Sequence, residues 1–281
     1  MDRARCYQLG LYEKSMPNEL SLREKLEEGK RAGFDYLELS IDETDEKLLR
    51  LDWNKEQVDA LLADIREVGL PIKSICLSGH RKFPLGSMNA KTRSRSLEIM
   101  DKAIGLAAAL GVRLIQLAGY DVHYEESCDE TRRLFGENLE LSVRMAAREG
   151  VMLGFETMET PFMDTVAKAM HWVDRIHSPY LQVYPDIGNL TNAALVYQGS
   201  ITEDMKLGTG HLAAVHLKET VPGVYREVPY GTGHVDFQAA VQCAFDLGVR
   251  MFVGEFWYVG QEDWRETLKQ NNIFLRKVLD A

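Results

Sequence analysis

The 281-residue sequence predicts an α/β protein in which eight buried strands alternate with eight helices. The strands are short apolar runs, as expected for a parallel sheet that is covered on both faces. A glycine often separates a helix from the next strand, after Ala32, Val68, Leu110, Glu149 and Leu247. No GxGxxG or GxxxxGKS motif follows the first strand, which disfavours a doubly wound sheet. We therefore predict that residues 1–281 form a single domain, a (β/α)8 TIM barrel.

The predicted elements follow one another in a regular order. After a first apolar run at 7–14, helices are predicted where apolar residues recur at helical spacing and a stop signal follows: 19–32, 55–68, 90–110, 128–149, 163–176, 201–205, 237–247 and 263–279. The remaining strands are the apolar runs between these helices: 36–41, 72–78, 113–121, 151–159, 181–186, 213–219 and 251–257. Long loops are expected after the third, sixth and seventh strands, on the face where barrels carry their active sites.

Composition limits the classes of partner. A hydrophobic content of 45% is enough for a large core, and the formal net charge of −10 argues against nucleic-acid and membrane partners. Neither a signal peptide nor a stretch long enough to span a bilayer is recognised. The cysteines show no metal-binding spacing and are typical of reduced thiols: Cys6, Cys76, Cys128 and Cys243. We expect a cytoplasmic protein.

Four polar residues stand at matching positions in the last four predicted strands. They are Glu156, Asp186, His216 and Glu255. Charged side chains are rarely buried unless they are paired or bind a cation. Neighbouring strands lie about 5 Å apart, so residues at their carboxyl ends can meet at one ion. Three oxygens and one nitrogen suit Zn²⁺, Mn²⁺ or Mg²⁺, and the spacing does not choose between them. The competing interpretation is that each carboxylate forms a separate salt bridge at the barrel rim.

Such an ion can bind a sugar carbonyl and its neighbouring hydroxyl and stabilise negative charge on them. Removal of a proton next to the carbonyl needs that stabilisation near neutral pH. If Glu156 and Glu255 flank the substrate carbon, one removes a proton and the other returns one to the opposite face. The predicted chemistry is inversion at a carbon next to a ketone, with these two glutamates as the catalytic residues.

Four phrases resemble the L-ribulose-5-phosphate (L-xylulose-5-phosphate) 3-epimerases, within the xylose-isomerase-like barrel superfamily: SICLSGHRKFPLGS, RLIQLAGYD, YPDIGNL and AAVHLKETVPGVYREVPYGTGHVDF. The resemblance covers nearly the whole chain. It implies a homodimeric cytoplasmic enzyme of pentose or ascorbate catabolism that interconverts L-xylulose 5-phosphate and L-ribulose 5-phosphate at C3. It also implies a Glu, Asp, His, Glu metal set, matching the four residues above, with the two glutamates as the acid/base pair.

The substrate phosphate has two candidate sites in the sequence. One is the basic cluster after the third strand, and the other is the glycine loop after the seventh strand together with a nearby lysine. Related epimerases of free ketoses usually have a histidine where this chain has Asn189, which favours a phosphorylated substrate. The predicted substrate-binding residues are Ser78, His80, Arg81, Lys82, Asn189, Lys218, Gly231 and Gly233.

Other functions remain open at this point. An isomerase, epimerase or dehydratase of an unphosphorylated ketose or inositol derivative would keep the metal site and lose the phosphate site. A non-catalytic sugar-binding protein would keep the barrel without turnover. A metal-dependent nuclease is disfavoured, because such enzymes typically have many more histidines and a basic groove, whereas this acidic chain offers one convincing histidine ligand.

Overall fold

Residues 6–281 are described by a computed structural model, in which eight parallel strands form a barrel with helices on its outside. The strands are β1 (Gln8–Tyr12), β2 (Tyr36–Ile41), β3 (Ile72–Leu77), β4 (Leu114–Ala118), β5 (Met152–Glu156), β6 (Leu181–Tyr184), β7 (Val215–Leu217) and β8 (Met251–Gly254). They pair in the order β6-β5-β4-β3-β2-β1-β8-β7. Two isolated parallel bridges, Val183 with Leu212 and Asp186 with His216, join β6 to β7 and close the ring. The predicted (β/α)8 barrel is confirmed.

Every predicted helix is present, with each end within three residues of its expected position. The helices are α1 (Leu22–Arg31), α2 (Asp45–Leu48), α3 (Lys55–Val68), α4 (Ala90–Leu110), α5 (Asp129–Glu149), α6 (Val166–Ile176), α7 (Ile187–Tyr197), α8 (Ile201–Lys206), α9 (Phe237–Asp246) and α10 (Trp264–Leu279). Local sequence explains many helix ends. Asn54 caps the start of α3 in a capping box with Gln57, and Gly69 ends it in a left-handed conformation, φ 72°.

The expectation of a long irregular loop after the sixth strand is wrong. That segment forms α7, whose first turns contain Gly188, Asn189 and Asn192, which are weak helix formers. Asp186 compensates by capping the helix, since its side chain accepts a hydrogen bond from the Asn189 amide. The first turns are also buried against the barrel, so tertiary packing overrides local propensity.

The hydrophobic residues form two layers. The larger one lies between the strands and the surrounding helices, and the smaller one fills the barrel interior. Tyr36 and Tyr184 are fully buried in the interior layer, where the Tyr36 hydroxyl donates to the Phe252 carbonyl and the Tyr184 hydroxyl donates to Glu38. Because the interior is packed, a substrate can bind only at an end of the barrel, and TIM barrels carry their active sites at the carboxyl end.

A buried ion-pair cluster fixes the segment that follows β1. The carboxylate of Glu13 is fully buried and is held by Lys25 Nζ at 3.0 Å, Lys47 Nζ at 2.5 Å and Arg50 Nη1 at 2.6 Å. It also accepts a hydrogen bond from the Ser40 amide. These contacts outweigh the cost of burial and hold the pKa of Glu13 far below its usual value.

The sequence also predicted reduced cysteines and no membrane-spanning segment. The four cysteines are free thiols, Cys76 and Cys243 buried and Cys6 and Cys128 exposed. Within residues 6–281, no helix is both long enough and apolar enough to cross a membrane.

Candidate active site

The carboxyl ends of the last four strands bring the predicted metal ligands together. Glu156 is the last residue of β5, and His216 lies in β7. Asp186 follows β6, and Glu255 directly follows β8. One donor atom from each residue lies within 4.8 Å of the others, and all four residues are buried. The strands converge because parallel strands of a barrel end at a common rim.

The two ring nitrogens of His216 have different surroundings. Nδ1 faces the carboxylate group, 3.2 Å from Glu156 Oε1 and 3.4 Å from Glu255 Oε2. Nε2 points into the barrel interior and lies 2.7 Å from Glu38 Oε1. Burial alone would lower the pKa of His216, but Glu38 and Glu255 outweigh burial and raise that pKa well above its usual value. A metal bound at Nδ1 would replace the proton there, and Nε2 would keep its proton and donate it in a hydrogen bond to Glu38.

Asp186 serves both the helix and the cluster. Its Oδ1 caps α7 by accepting from the Asn189 amide at 2.7 Å, and its own amide donates to Thr157 Oγ1 at 3.0 Å. Its Oδ2 faces the other ligands, with Lys218 Nζ at 2.9 Å. The cap fixes the carboxylate so that one oxygen stays available for an ion.

The carboxylates of the cluster repel one another. Burial and the neighbouring Glu255 raise the pKa of Glu156, and burial raises the pKa of Asp186 well above its usual range even though Lys218 opposes the shift. Burial also acts to raise the pKa of Glu255, but Lys218 and His216 outweigh it and hold that pKa well below normal. Burial and mutual repulsion therefore disfavour the simultaneous ionisation of all three carboxyl groups when no further cation is bound.

This donor set fits a divalent cation. Asp186 Oδ2 and Glu255 Oε2 are buried, and both face Lys218 Nζ, at 2.9 Å and 3.4 Å. His216 Nδ1 also lies 3.4 Å from Glu255 Oε2. Glu156 is oriented by Gln116, whose side-chain amide donates to Glu156 Oε2. Three buried carboxyl groups that share one lysine and one imidazole are costly unless a further cation satisfies them. Glu156, Asp186, His216 and Glu255 could together hold a metal ion.

A cavity opens above the cluster at the carboxyl end of the barrel. Both glutamates of the cluster, Glu156 and Glu255, face it, and its other walls come from the ends of seven of the eight strands and the segments that follow them. The remaining lining residues are Tyr12, Lys14, Cys76, Ser78, Arg81, Ala118, Met158, Glu159, Asn189, Lys218, Tyr225, Arg226 and Trp257. Four of the predicted substrate-binding residues are therefore at the cavity: Ser78, Arg81, Asn189 and Lys218.

The other four predicted substrate-binding residues do not line this cavity. His80 is buried beside α4, with Nε2 3.1 Å from the Ser96 carbonyl oxygen, and burial lowers its pKa to about 4. Lys82 is exposed and lies over the Phe83 ring. The sequence grouped these two with Arg81, but the 3-10 turn Gly79–Arg81 points its neighbouring side chains in different directions.

The glycine loop after β7, which was predicted to contact the phosphate, packs against the buried Glu219 side chain. The Gly231 amide donates to Glu219 Oε2 at 2.9 Å, so this amide is not free for an anion. Gly233 packs so closely against the Thr220 carbonyl oxygen and the Glu219 carboxylate that a Cβ would not fit. Buried Glu219 therefore organises the loop, and Gly231 and Gly233 provide the close approach it needs.

Several residues at or below the site were missed in the sequence. Glu38 and Gln116 are fully buried polar residues inside β2 and β4, and both contact a predicted ligand. The signal that singled out the four ligands, a polar residue in a buried strand, applies to these two as well. Lys14 lies in the 3-10 turn Glu13–Ser15 and Arg226 in the loop after β7, and neither segment has a periodic pattern that would indicate the orientation of its side chains.

Comparisons with known proteins identify the family of the chain. Residues 26–278 match the family model of the xylose isomerase-like TIM barrel. Over 256 residues the chain is 44% identical to L-ribulose-5-phosphate 3-epimerase UlaE of Escherichia coli O139:H28, covering 91% of this chain and 89% of that protein.

Solved structures show the same fold. An L-ribulose 3-epimerase superimposes with a TM-score of 0.80 at 18% identity, over 98% of this chain and 95% of the other. D-psicose 3-epimerase of Clostridium cellulolyticum, solved with D-tagatose, gives 0.80 at 17% identity, over 98% and 100%. With the sequence match above, these findings place the chain in the L-ribulose-5-phosphate 3-epimerase family of xylose isomerase-like TIM barrels.

Proposed function

We propose that this protein is a metal-dependent epimerase that interconverts L-xylulose 5-phosphate and L-ribulose 5-phosphate by moving the proton at C3. The observation that carries the proposal is the pair Glu156 and Glu255, which come from β5 and β8, the first and last of the four ligand-bearing strands, and both line the same cavity. The 44% identity to proteins named L-ribulose-5-phosphate 3-epimerase supports the substrate.

In this proposal the two glutamates act on opposite faces of C3. One carboxylate accepts the C3 proton, which leaves an enediolate, and the other carboxyl group donates a proton to the opposite face. A divalent ion held by Glu156, Asp186, His216 and Glu255 would stabilise the negative charge on the two substrate oxygens. Each epimer uses the opposite glutamate as its base, so the reaction runs in both directions with the same two groups.

The surrounding residues keep the two glutamates in different environments. Gln116 donates a hydrogen bond to Glu156 from below, whereas Lys218 lies 3.4 Å from Glu255. Lys218 itself is buried at the cavity wall, and although burial opposes its charge, Asp186 and Glu255 raise its pKa above the usual value. We propose that Lys218 stays charged and helps to neutralise the substrate oxygens during proton transfer.

For the phosphate we propose the positively charged side of the cavity, with Arg81 as the principal contact. Arg81 Nε is buried and donates no hydrogen bond to residues 6–281, and the guanidinium lies over the Tyr120 ring at 5.8 Å. Lys14 and Arg226 line the same cavity. Arginine suits this role because its planar donors bind phosphate oxygens in pairs.

The test is solvent exchange at C3 with variants of matched chemistry. The metal-loaded protein is incubated with L-xylulose 5-phosphate in D₂O, and C3 is followed by NMR. We expect deuterium at C3 together with L-ribulose 5-phosphate, and loss of conversion in Glu156→Gln and Glu255→Gln. Glu159→Gln is the matched control, because Glu159 lines the cavity outside the ligand cluster. Conversion at the wild-type rate in either of the first two variants would refute their assignment.

Free ketoses provide the second arm of the experiment. The structural relatives are named for free sugars, at identities that show the fold alone. If L-xylulose and L-ribulose exchange and the phosphorylated sugars do not, the enzyme acts on an unphosphorylated ketose. An Arg81→Ala variant separates the two in another way, since it should raise KM for the phosphorylated substrate and leave KM for the free sugar unchanged.

We further propose one Zn²⁺, Mn²⁺ or Mg²⁺ ion per chain, a homodimer and a cytoplasmic location, in pentose or ascorbate catabolism. The mixed oxygen and nitrogen donors support a borderline or hard divalent ion. Metal analysis of the purified protein identifies the ion, and light scattering after gel filtration measures the mass of the assembly.

A further inference from the structure

Glu38 stands out among the buried acidic residues because it contacts a metal-ligand candidate from outside the cluster. It lies in the middle of β2, and its side chain points into the barrel interior below the site. It does not line the cavity and is not one of the four grouped ligands. A fully buried carboxylate requires compensating partners, so its position needs a reason.

The partners of Glu38 divide between its two oxygens. Oε1 lies 2.7 Å from His216 Nε2. Oε2 accepts from the Ser74 hydroxyl at 2.7 Å and the Tyr184 hydroxyl at 2.9 Å. The two hydroxyls hold the carboxylate from β3 and β6, while the other oxygen is committed to the imidazole. The carboxylate cannot rotate away without breaking three contacts.

The imidazole is confined by the same group of residues. The Tyr184 ring packs against the His216 ring with centroids 4.7 Å apart, and the Tyr12 ring lies on it at 6.4 Å. Since Nε2 donates to Glu38, the lone pair of a neutral imidazole is on Nδ1, which faces the three carboxylates. A carboxylate behind a ligating histidine fixes its tautomer and increases its basicity.

We propose that Glu38 is a positioning residue that presents His216 Nδ1 to the metal, and that Ser74 and Tyr184 hold Glu38 for this task. The inference rests on the metal site of the proposed function. Glu38 touches neither substrate nor metal, so its effect is exerted on ion affinity through His216. Glu38, Ser74 and Tyr184 form a relay from three strands that connects the barrel interior to the ligand cluster.

The first measurement is made on the wild-type protein, and a variant is needed only to assign the signals. Histidine is labelled with ¹⁵N, Zn²⁺ is added, and the nitrogen shifts of His216 are recorded after assignment with a His216→Gln variant. We expect a metal-bound Nδ1 and a protonated Nε2 whose proton is shifted downfield by the carboxylate. A metal-bound Nε2, or a protonated Nδ1 in the Zn²⁺-loaded protein, would overturn the proposal.

The second measurement is Zn²⁺ and Mn²⁺ affinity by competition with a chromophoric chelator. Glu38→Gln keeps the shape of the side chain and removes its charge, and we expect both affinities to fall by about 10- to 100-fold. Ser74→Ala and Tyr184→Phe each remove one contact to Oε2 and leave the bond to His216 in place, so they should weaken binding by less than Glu38→Gln does. Tyr36→Phe is the control, because it removes a buried hydroxyl of the barrel interior whose partner is the Phe252 carbonyl oxygen. Its affinity should remain close to wild type. Glu38→Asp keeps the charge but moves the carboxylate away from Nε2, so it should also weaken metal binding. This variant replaces Glu38→Gln in the test if Glu38→Gln does not fold.

The outcomes separate this inference from the proposed function. Wild-type affinity in both Glu38 variants would show that Glu38 only stabilises the barrel. Failure of the wild-type protein to bind either ion would overturn the metal site and this inference together. A protein that binds ions in a Glu38-dependent way and does not epimerise pentulose phosphates supports the inference and refutes the proposed reaction.

Discussion

The buried cluster around Glu13 gives the most direct stability prediction. Glu13→Gln removes the carboxylate that Lys25, Lys47 and Arg50 share, and leaves three buried cations facing a neutral amide. Removing one partner of a buried ion pair typically costs about 3–5 kcal/mol, because the remaining charge stays desolvated. For a chain of this length that loss corresponds to a decrease in melting temperature of roughly 5–8 °C.

The pH dependence of the same variant has a defined sign. The folded-state pKa of Glu13 lies below its unfolded value, so its contribution to stability is complete above about pH 4.3 and disappears as the pH falls through the folded-state pKa. Glu13→Gln lacks this contribution at every pH. The difference in unfolding free energy between wild type and variant should therefore be constant near neutral pH and become smaller below about pH 4.

Urea unfolding followed by circular dichroism measures both effects. Arg23→Gln is the control, since Arg23 forms an exposed network with Asp64 and Glu67 that solvent screens, and its midpoint should hardly change. A Glu13→Gln variant as stable as the control variant would refute the reasoning, and so would a difference from wild type that grows in acid.

Three further predictions concern the active site. Gln116→Leu removes the donor that orients Glu156, so kcat in steady-state kinetics should fall by about 10-fold or more with KM little changed; an unchanged kcat would contradict the role. Gly233→Ala places a methyl group against the Thr220 carbonyl oxygen, so the free energy of unfolding in urea should fall by about 1–3 kcal/mol and kcat/KM should also fall. Gly199→Ala is the control, because its methyl group would meet open space and should change neither quantity. Chelation should abolish activity and lower the melting temperature, since an ion at 100 times its Kd stabilises by about 2.7 kcal/mol; a melting curve indifferent to metal would argue against the site.

Local sequence alone specified the barrel and the four ligand candidates. Helix spacing, stop glycines and apolar runs act within a few residues of the chain, so they are readable without knowledge of the fold. Glu156, Asp186 and His216 could be grouped because the carboxyl ends of parallel strands lie at one rim of the barrel. Residues at the ends of different strands are therefore expected to lie close together. The local sequence did not predict α7, because its first turns contain weak helix formers. The Asp186 cap and burial against the barrel stabilise this helix.

Tertiary structure decided the orientation of side chains that no periodic element controls. His80 and Arg81 are neighbours in one short turn, yet the first contacts α4 and the second lines the cavity. The hydrogen bond from His216 to Glu38 spans 178 residues of sequence, and nothing near either residue specifies it. Composition and strand pattern determine which groups reach the rim of the barrel. Only close packing across the barrel determines which buried groups meet, because those contacts depend on distances between strands that are far apart in the chain.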